Sequence, residues 1–214
     1  SSAAAFAAAA AALAFAAASA ASLSAFSLEQ QDILIGTLLG DASMQKVAKT
    51  HESNIKWEQK SSQKDYIFHI YSVFEPFILM VPLLRDIKGG NAQDRQSYWI
   101  RTLRHSFFSK YKQLFYKQDN SGKQYKLVPE NIQHLLTPRA LAYWFMDDGS
   151  SKKNQQGHVI SFTLHSQGFS YANQKLLIET LNKNFGLHAS LWKDRKSYKI
   201  AINASSINDF SNLI

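Results

Sequence analysis

Residues 135–150 read LLTPRALAYWFMDDGS, and this stretch decides the fold. Thr137 is a preferred N-cap residue and Pro138 suits the first helical position, so the stretch predicts a helix that begins there. The apolar run that follows ends in Asp147, Asp148 and Gly149. A second segment, LIGTLLGDAS at residues 34–43, also predicts an apolar helix that ends in a Gly/Asp cluster.

The segments around these two helices follow one another in a repeated order. Up to residue 120 the pattern predicts helices at 28–40, 64–77 (ended by Pro76) and 105–116, strands at 54–60 and 97–102, and a turn at 87–91. Beyond it the pattern predicts a short segment at 129–136, helices at 137–149 and 171–185, a strand at 158–166, and a hairpin over 190–203. The order predicts a duplicated α+β unit, with repeats at 29–120 and 121–214 related by a pseudo-twofold axis.

Small residues on the first helix predict close packing between the two apolar helices. Gly36 and Gly40 lie four residues apart on one helical face, which lets another backbone approach. If the helices pack together, Asp41 and Asp148 converge at the negative ends of two helix dipoles. Converging carboxylates indicate a divalent cation or a raised pKa, and oxygen ligands without Cys or clustered His favour Mg²⁺. Such a centre on a basic scaffold suits phosphodiester hydrolysis.

Composition narrows the class of protein. The 214 residues include 24 Lys+Arg, 16 Asp+Glu and no Cys, for a net charge of +8. Disulfide scaffolds, Cys-ligated zinc and iron–sulfur clusters are therefore excluded, and 13% aromatic residues argue against global disorder. The positive charge favours nucleic acid or an anionic membrane as partner, although an ordinary basic surface would give the same count. Lys outnumbers Arg 18 to 6, which suits an A/T-rich coding sequence such as that of many organelle genomes.

Residues 1–28 differ from the rest, because they contain 16 Ala, 6 Ser, 3 Phe and 3 Leu and no charge. A transmembrane helix would be expected to have more strongly apolar residues and interfacial anchors. A secretory signal would have a basic start, and a transit peptide would contain Arg. We favour a fourth interpretation, that these are placeholder residues of unknown identity, and draw no functional inference from them.

The two acidic segments resemble the paired motifs of LAGLIDADG homing endonucleases in their single-chain form, over residues 29–214. The resemblance implies an α+β fold with saddle-shaped antiparallel sheets. It also implies a monomeric, Mg²⁺-dependent, site-specific DNA endonuclease that cuts both strands of a long duplex site across the minor groove and leaves short 3′ overhangs. The last acid of each motif, Asp41 and Asp148, would bind the metals, whereas Asp147 takes the penultimate place.

The resemblance also implies catalytic roles outside the motifs. Gln59 lies 18 residues after Asp41 and Gln167 lies 19 after Asp148, where relatives carry polar residues near the metals. Lys126 matches the basic residue ahead of the second motif. Two departures stand out: Tyr143 replaces a Gly, and the second basic residue of relatives lies beyond a sequence like the NDFSNLI that ends this chain. Its absence would put double-strand cleavage in doubt.

Strand residues alternate between faces, so one face of each sheet can lie in the major groove of DNA. The sequence offers seven charged candidates, about half of which we expect to contact phosphate: Lys56, Glu58, Arg101, Arg104, Lys193, Arg195 and Lys199. The seven His residues show no metal-binding spacing, so no role is assigned to them. Each of the four Trp residues is interpreted as core or sheet packing.

Two other functions remain open. A non-cleaving relative, such as an intron maturase or a subunit of an organelle ribosome or other ribonucleoprotein, would use the same basic surface to bind structured RNA. A basic structural domain without nucleic acid would require the duplicated acidic helices to be a coincidence. If the protein is an endonuclease or an RNA-binding relative, we expect it in a mitochondrion or chloroplast and not in a membrane.

Overall fold

The computed structural model describes residues 26–45, 52–87 and 96–214. The first repeat comprises α1 (Leu28–Leu39), β1 (Ser43–Met44), β2 (Ile55–Lys60), α2 (Lys64–Phe74), β3 (Leu83–Asp86), β4 (Gln96–Arg101) and α3 (Ser106–Phe115). A connector follows with β5 (Tyr116–Gln118), β6 (Gln124–Lys126) and α4 (Ile132–Leu135). The second repeat comprises α5 (Pro138–Asp148), β7 (Gly149–Lys153), β8 (Val159–Leu164), α6 (Tyr171–Phe185), β9 (Ala189–Asp194), β10 (Ser197–Ile202) and α7 (Ile207–Leu213).

The two repeats have the same sheet topology. The first sheet has the antiparallel strand order β1-β2-β4-β3 and the second has the order β7-β8-β10-β9. Trp57 pairs with Ile100 in the first sheet, and Leu164 pairs with Ile200 at the matching place in the second. These residues are buried on the face that packs against the helices. The predicted duplicated α+β architecture is therefore confirmed.

Short elements are where the structure departs from the sequence prediction. Strands β1, β3, β5, β6 and β7 were not predicted, because two to five residues carry little periodic signal and cross-strand pairing decides them. Helix α7 was not predicted either, because its seven residues span only two helical turns. The helix expected over 64–77 ends at Phe74 and continues as the 3₁₀ turn Glu75–Phe77, with Pro76 inside it. Most of the predicted turn at 87–91 lies outside the described residues. The predicted division at residue 120 falls in the turn between β5 and β6.

The start of α1 corrects the limits of the uncharged segment. Phe26 is buried and packs against the rings of Phe77 and Phe108, at centroid distances of 5.0 and 5.3 Å. Ser27 caps the helix through a reciprocal pair of hydrogen bonds with Gln30. Residues 26–28 therefore belong to the folded repeat. Composition alone places the boundary at the first charged residue. It cannot show that Phe26 packs in the core or that Ser27 caps the helix.

Candidate active site at the paired helices

Helices α1 and α5 pack against each other because glycine removes the side chain at two contact points. A Cβ atom at Gly36 would lie 2.7 Å from Cβ of Tyr143 and also meet the carbonyl oxygen of Ala140. A Cβ atom at Gly40 would lie 2.5 Å from Cβ of Asp147. Since real Cβ atoms are not found at such distances, glycine is required at both positions for this helix separation. The predicted packing of the two helices is confirmed.

The close packing brings the C-terminal ends of both helices together. Asp41 lies just after α1, and Asp148 is the last residue of α5. The backbone N–H of Asp41 donates a 3.0 Å hydrogen bond to Oδ2 of Asp147. The end of one repeat's helix is thus bonded to an acid of the other repeat, and three carboxylates share this small region.

Two side chains from the first repeat support this cluster from the side. Gln59, near the end of β2, donates 3.1 Å hydrogen bonds from Nε2 to Oδ2 of Asp41 and to Oδ1 of Asp147. The hydroxyl of Tyr66, on α2, donates to the same Oδ1 at 2.9 Å. Sequence reasoning placed Gln59 here but missed Tyr66, because no pattern along the chain relates α2 to the second motif. Asp147 was assigned only the penultimate motif position, whereas it accepts three hydrogen bonds.

Lys126 is the basic residue of this cluster. Its Nζ donates 2.8 Å hydrogen bonds to the carbonyl oxygens of Gly40 and Ala42, on either side of Asp41. Burial lowers the pKa of Lys126, while the charges of Asp148, Asp147 and Asp41 act in the opposite direction. Strand β6 therefore places an ammonium group beside the C-terminal end of α1.

The acids are held in an environment that disfavours their charged forms. Burial, followed in importance by the charge of Asp41, raises the pKa of Asp148 to about 6. Burial likewise raises the pKa of Asp147 to about 7; the hydrogen bonds from Asp41 and Tyr66 lower it, while the charge of Asp41 adds to the increase. One lysine faces three carboxylates, so the site has an excess of negative charge that a cation would neutralise.

The donor set suits a hard divalent cation. Asp41 and Asp148 supply carboxylate oxygens from the two helix ends, and carbonyl oxygens lie beside them. Within the described residues no group of three or more His, Cys, Asp or Glu side chains is arranged to enclose a metal ion. Asp41 and Asp148 are therefore the candidate protein ligands of a divalent cation.

Gln167 makes its side-chain hydrogen bond outside the group formed by Asp41, Asp147 and Lys126. Its Nε2 donates a 3.0 Å hydrogen bond to Oδ2 of Asp194, at the end of β9. The pairing Ser43 with Lys56 matches Ser150 with Thr163, so the counterpart of Gln59 is Ser166, not Gln167. The spacings of 18 and 19 residues differ by one, and Gln167 lies beyond the end of β8, in the turn that follows Ser166. Ser166 is buried, and its Oγ accepts from Gln174.

The first sheet presents a charged face away from the helices. Lys56 pairs with Arg101, and Glu58 pairs with Trp99, so all four side chains lie on this face. Trp99 lies between two cations: Nζ of Lys56 is 5.7 Å and the guanidinium of Arg101 is 5.2 Å from its ring centroid. Arg104 is exposed but follows β4 and is not part of the sheet.

The second sheet places its three predicted cations differently. Lys199 lies on the open face, directly opposite Trp192. Lys193 is offset by one residue and points to the side of the sheet on which the helices pack. Arg195 occupies the hairpin turn with a φ of 55°, a left-handed conformation that is rare for a residue other than glycine. Alternation thus separates residues that the sequence prediction had grouped.

The tryptophans follow the packing interpretation with one exception. Trp57 and Trp144 are buried, and Trp99 is partly covered by its neighbours. Trp192 is 59% exposed on the open face of the second sheet, so its interpretation as a packing residue was wrong. The exposure of Trp192 could not be predicted from its neighbours along β9, because only the strand register shows which face of the sheet it occupies.

Comparison with known proteins identifies the family. Residues 31–210 match the model of the LAGLIDADG DNA endonuclease family, so the chain belongs to that family, as the sequence resemblance predicted. A probable intron-encoded endonuclease 1 of Wickerhamomyces canadensis is 32% identical over 186 residues, which are 86% of this chain and 78% of the relative. The solved structure of the homing endonuclease I-WcaI bound to its DNA recognition sequence matches with a TM-score of 0.80 and 30% identity, covering 89% of this chain and 82% of that one.

Relatives with another role are also similar. The cytochrome b mRNA maturase bI2 of Saccharomyces cerevisiae is 26% identical over 168 residues. The match covers 77% of this chain and 38% of the maturase. Among the residues that the structure describes, no helix combines the length and apolar character needed to cross a membrane.

Proposed function

We propose that this protein is a site-specific DNA endonuclease that hydrolyses phosphodiester bonds with Mg²⁺. One observation carries the proposal: Asp41 and Asp148 meet at the ends of two close-packed helices, with the buried Lys126 beside them. Family membership and the likeness to I-WcaI, whose structure contains its DNA recognition sequence, support DNA as the substrate.

The cluster suits the chemistry of this reaction. Asp41 and Asp148 would hold the metal ions, which lower the pKa of a bound water and stabilise the leaving oxygen. Lys126 is positioned to stabilise negative charge that develops on the phosphate. Gln59 holds the Asp41 carboxylate in place through its 3.1 Å hydrogen bond. Gln167, bonded to Asp194, takes no part in this arrangement.

Binding would use the open faces of the two sheets. The first sheet offers Lys56, Glu58 and Arg101, and the second offers Lys199, with Arg195 at the hairpin turn. Because one chain carries both helix-end acids, we propose that it acts as a monomer on a long duplex site. The Lys-rich composition supports an organelle location.

The decisive experiment exposes a library of randomised duplexes to the purified protein with Mg²⁺ and sequences the cleaved ends. We expect one enriched site with a short 3′ overhang, and no cleavage with Asp148→Asn. Wild-type protein that binds duplex DNA but leaves every sequence intact with Mg²⁺ or Mn²⁺ would contradict the proposal.

RNA binding is a second candidate, favoured by the similarity to the mRNA maturase. The same basic sheets would then hold a structured RNA by its shape. Competition between the selected DNA duplex and a structured intron RNA separates the two functions. Preferential displacement of DNA by the RNA, together with absent cleavage, would support the maturase-like function.

A further inference from the structure

Glu58 lies at the centre of a network of cations on the open face of the first sheet. Its Oε2 is 2.5 Å from Nζ of Lys56, two residues earlier on β2. Its Oε1 is 2.5 Å from Nη2 of Arg85, on β3, and accepts a 2.6 Å hydrogen bond from Oγ of Ser97. A single carboxylate therefore ties together side chains from three strands.

This network is more ordered than an ordinary surface ion pair. Burial alone would raise the pKa of Glu58, but the hydrogen bonds from Lys56 and Ser97 and the charges of Lys56 and Arg85 lower it below its ordinary value. The ammonium group of Lys56 also lies over the ring of Trp99, which restricts it from a second side. The three charged groups are thus held in place before any ligand arrives.

The network keeps hydrogen-bonding capacity toward solvent. A carboxylate has about four lone-pair sites, and the three bonds to Glu58 leave one, on Oε2. Arg85 uses one of its terminal nitrogens for Glu58, and its side chain is 49% exposed. The guanidinium carries five N–H donors in a planar fork, so a two-bond contact to a further acceptor pair remains available.

We propose that Glu58 and Arg85 form a unit that reads one G·C base pair in the major groove of the target. Arg85 would donate to O6 and N7 of guanine, and the free lone pair of Glu58 would accept from the N4 amino group of the paired cytosine. The inference rests on the proposed function, since it assumes that the first sheet lies in the groove of duplex DNA.

The chemistry of the groove selects this base pair. In the major groove, guanine presents two adjacent acceptors and cytosine presents a donor, which complement an arginine and a carboxylate. With adenine in the place of guanine, the thymine O4 acceptor or its methyl group would face Glu58, and neither can donate. With the pair reversed, adenine N6 could donate to Glu58, but thymine would offer Arg85 only the single acceptor O4. Lys56 holds the carboxylate from the other side and thereby acts as a positioning residue.

The test is a binding selection from randomised duplexes, followed by sequencing of the bound fraction. We expect the wild-type protein to require a G·C pair at one position. Glu58→Gln should relax the preference for the G·C pair there, and Arg85→Met should weaken that preference by about tenfold or more. Arg85 is half exposed, so its substitution keeps the test valid if the Glu58 variant folds poorly. Lys183→Gln, an exposed change on α6, is the charge-matched control and should leave the preference unchanged.

The outcomes separate this inference from the proposed function. The wild-type protein could select a site whose base preferences are the same in both variants. That result would refute base-pair reading by Glu58 and Arg85 but leave the endonuclease function intact. A change in affinity that is uniform over all sequences would also overturn it, because Glu58 would then only adjust the net charge. Selection of no site by the wild-type protein would contradict the proposed function itself.

Discussion

The backbone N–H of Asp41 donates a 3.0 Å hydrogen bond to Oδ2 of Asp147, a residue 106 positions later in the sequence. This bond joins the C-terminal ends of α1 and α5. The acceptor is itself buried and also bonded to Tyr66 and Gln59. The position of Asp41 therefore depends on a residue of the other repeat.

Metal-free protein should lose stability as the pH rises from about 4 to about 7. The folded-state pKa values of Asp147 and Asp148 are about 7 and about 6, above the ordinary value of 3.8, so over this range the folded state holds protons that the unfolded chain has released. The two shifts together correspond to a fall in the free energy of unfolding of about 6 kcal/mol at most. Urea denaturation with a chelator at several pH values measures it. Asp147→Asn/Asp148→Asn should flatten the curve, and an unchanged slope in that variant would assign the effect elsewhere.

Asp148→Asn should abolish cleavage while sparing DNA binding. The amide keeps the size of the side chain but removes the charge that would hold the metal, so we expect cleavage of the selected site to fall on the order of a hundredfold or more. Binding, measured by fluorescence anisotropy, should change little. Asp209→Asn, an exposed acid on α7, is the matched control. Full cleavage by Asp148→Asn would remove this residue from the metal site.

Lys126→Met should bind divalent cations more tightly and yet cleave more slowly. Removing the buried ammonium adds one net negative charge to the cluster, which should raise Mg²⁺ affinity by about tenfold. Cleavage should fall because no ammonium group would remain to stabilise the charge that develops on the phosphate. Calorimetric titration and single-turnover cleavage measure the two effects. Lys123→Met, an exposed change close by in the same hairpin, should alter neither; weaker Mg²⁺ binding in the Lys126 variant would be inconsistent with this account.

Gly40→Ala should destabilise the fold by about 1–3 kcal/mol, because the added methyl group would overlap the side chain of Asp147. The helix ends would move apart, so cleavage should fall as well. Gly168→Ala is the control, since its Cβ would meet nothing within 4 Å. Denaturant midpoints measure the difference. Equal stability of the two variants would show that the helices are not as closely packed as described.

Phe26→Ala should cost about 3 kcal/mol of unfolding free energy, since Phe26 is only 8% exposed among the aromatic rings of the first repeat. Leu28→Ala, two residues later and 78% exposed, should be nearly neutral. Thermal unfolding of the two variants provides the comparison. Similar melting temperatures of the two variants would show that Phe26 is not part of the core of the first repeat.

The duplicated architecture could be predicted from local signals in the chain, and so could the packing of α1 against α5. Thr137, Pro138 and Gly40 are local signals for helix start and packing, and the repeated Gly/Asp ends predicted that Asp41 and Asp148 would meet. These features depend on residues within one or two helical turns of each other or on duplication along the chain. Both kinds of signal can be read without a structure.

Two features could be seen only in the tertiary structure. One is the set of further side chains that contact the cluster at the ends of α1 and α5, and the other is the sheet face on which each strand residue lies. Tyr66 and Asp147 are 81 residues apart, and no local pattern relates them. Gln167, in the turn after β8, bonds to Asp194. Alternation along the paired strands separates Lys193 from Lys199 and exposes Trp192. The physical reason is the twofold alternation of extended chains: hydrophobicity shows that a strand has two faces, whereas pairing with its neighbours decides which residue lies on which.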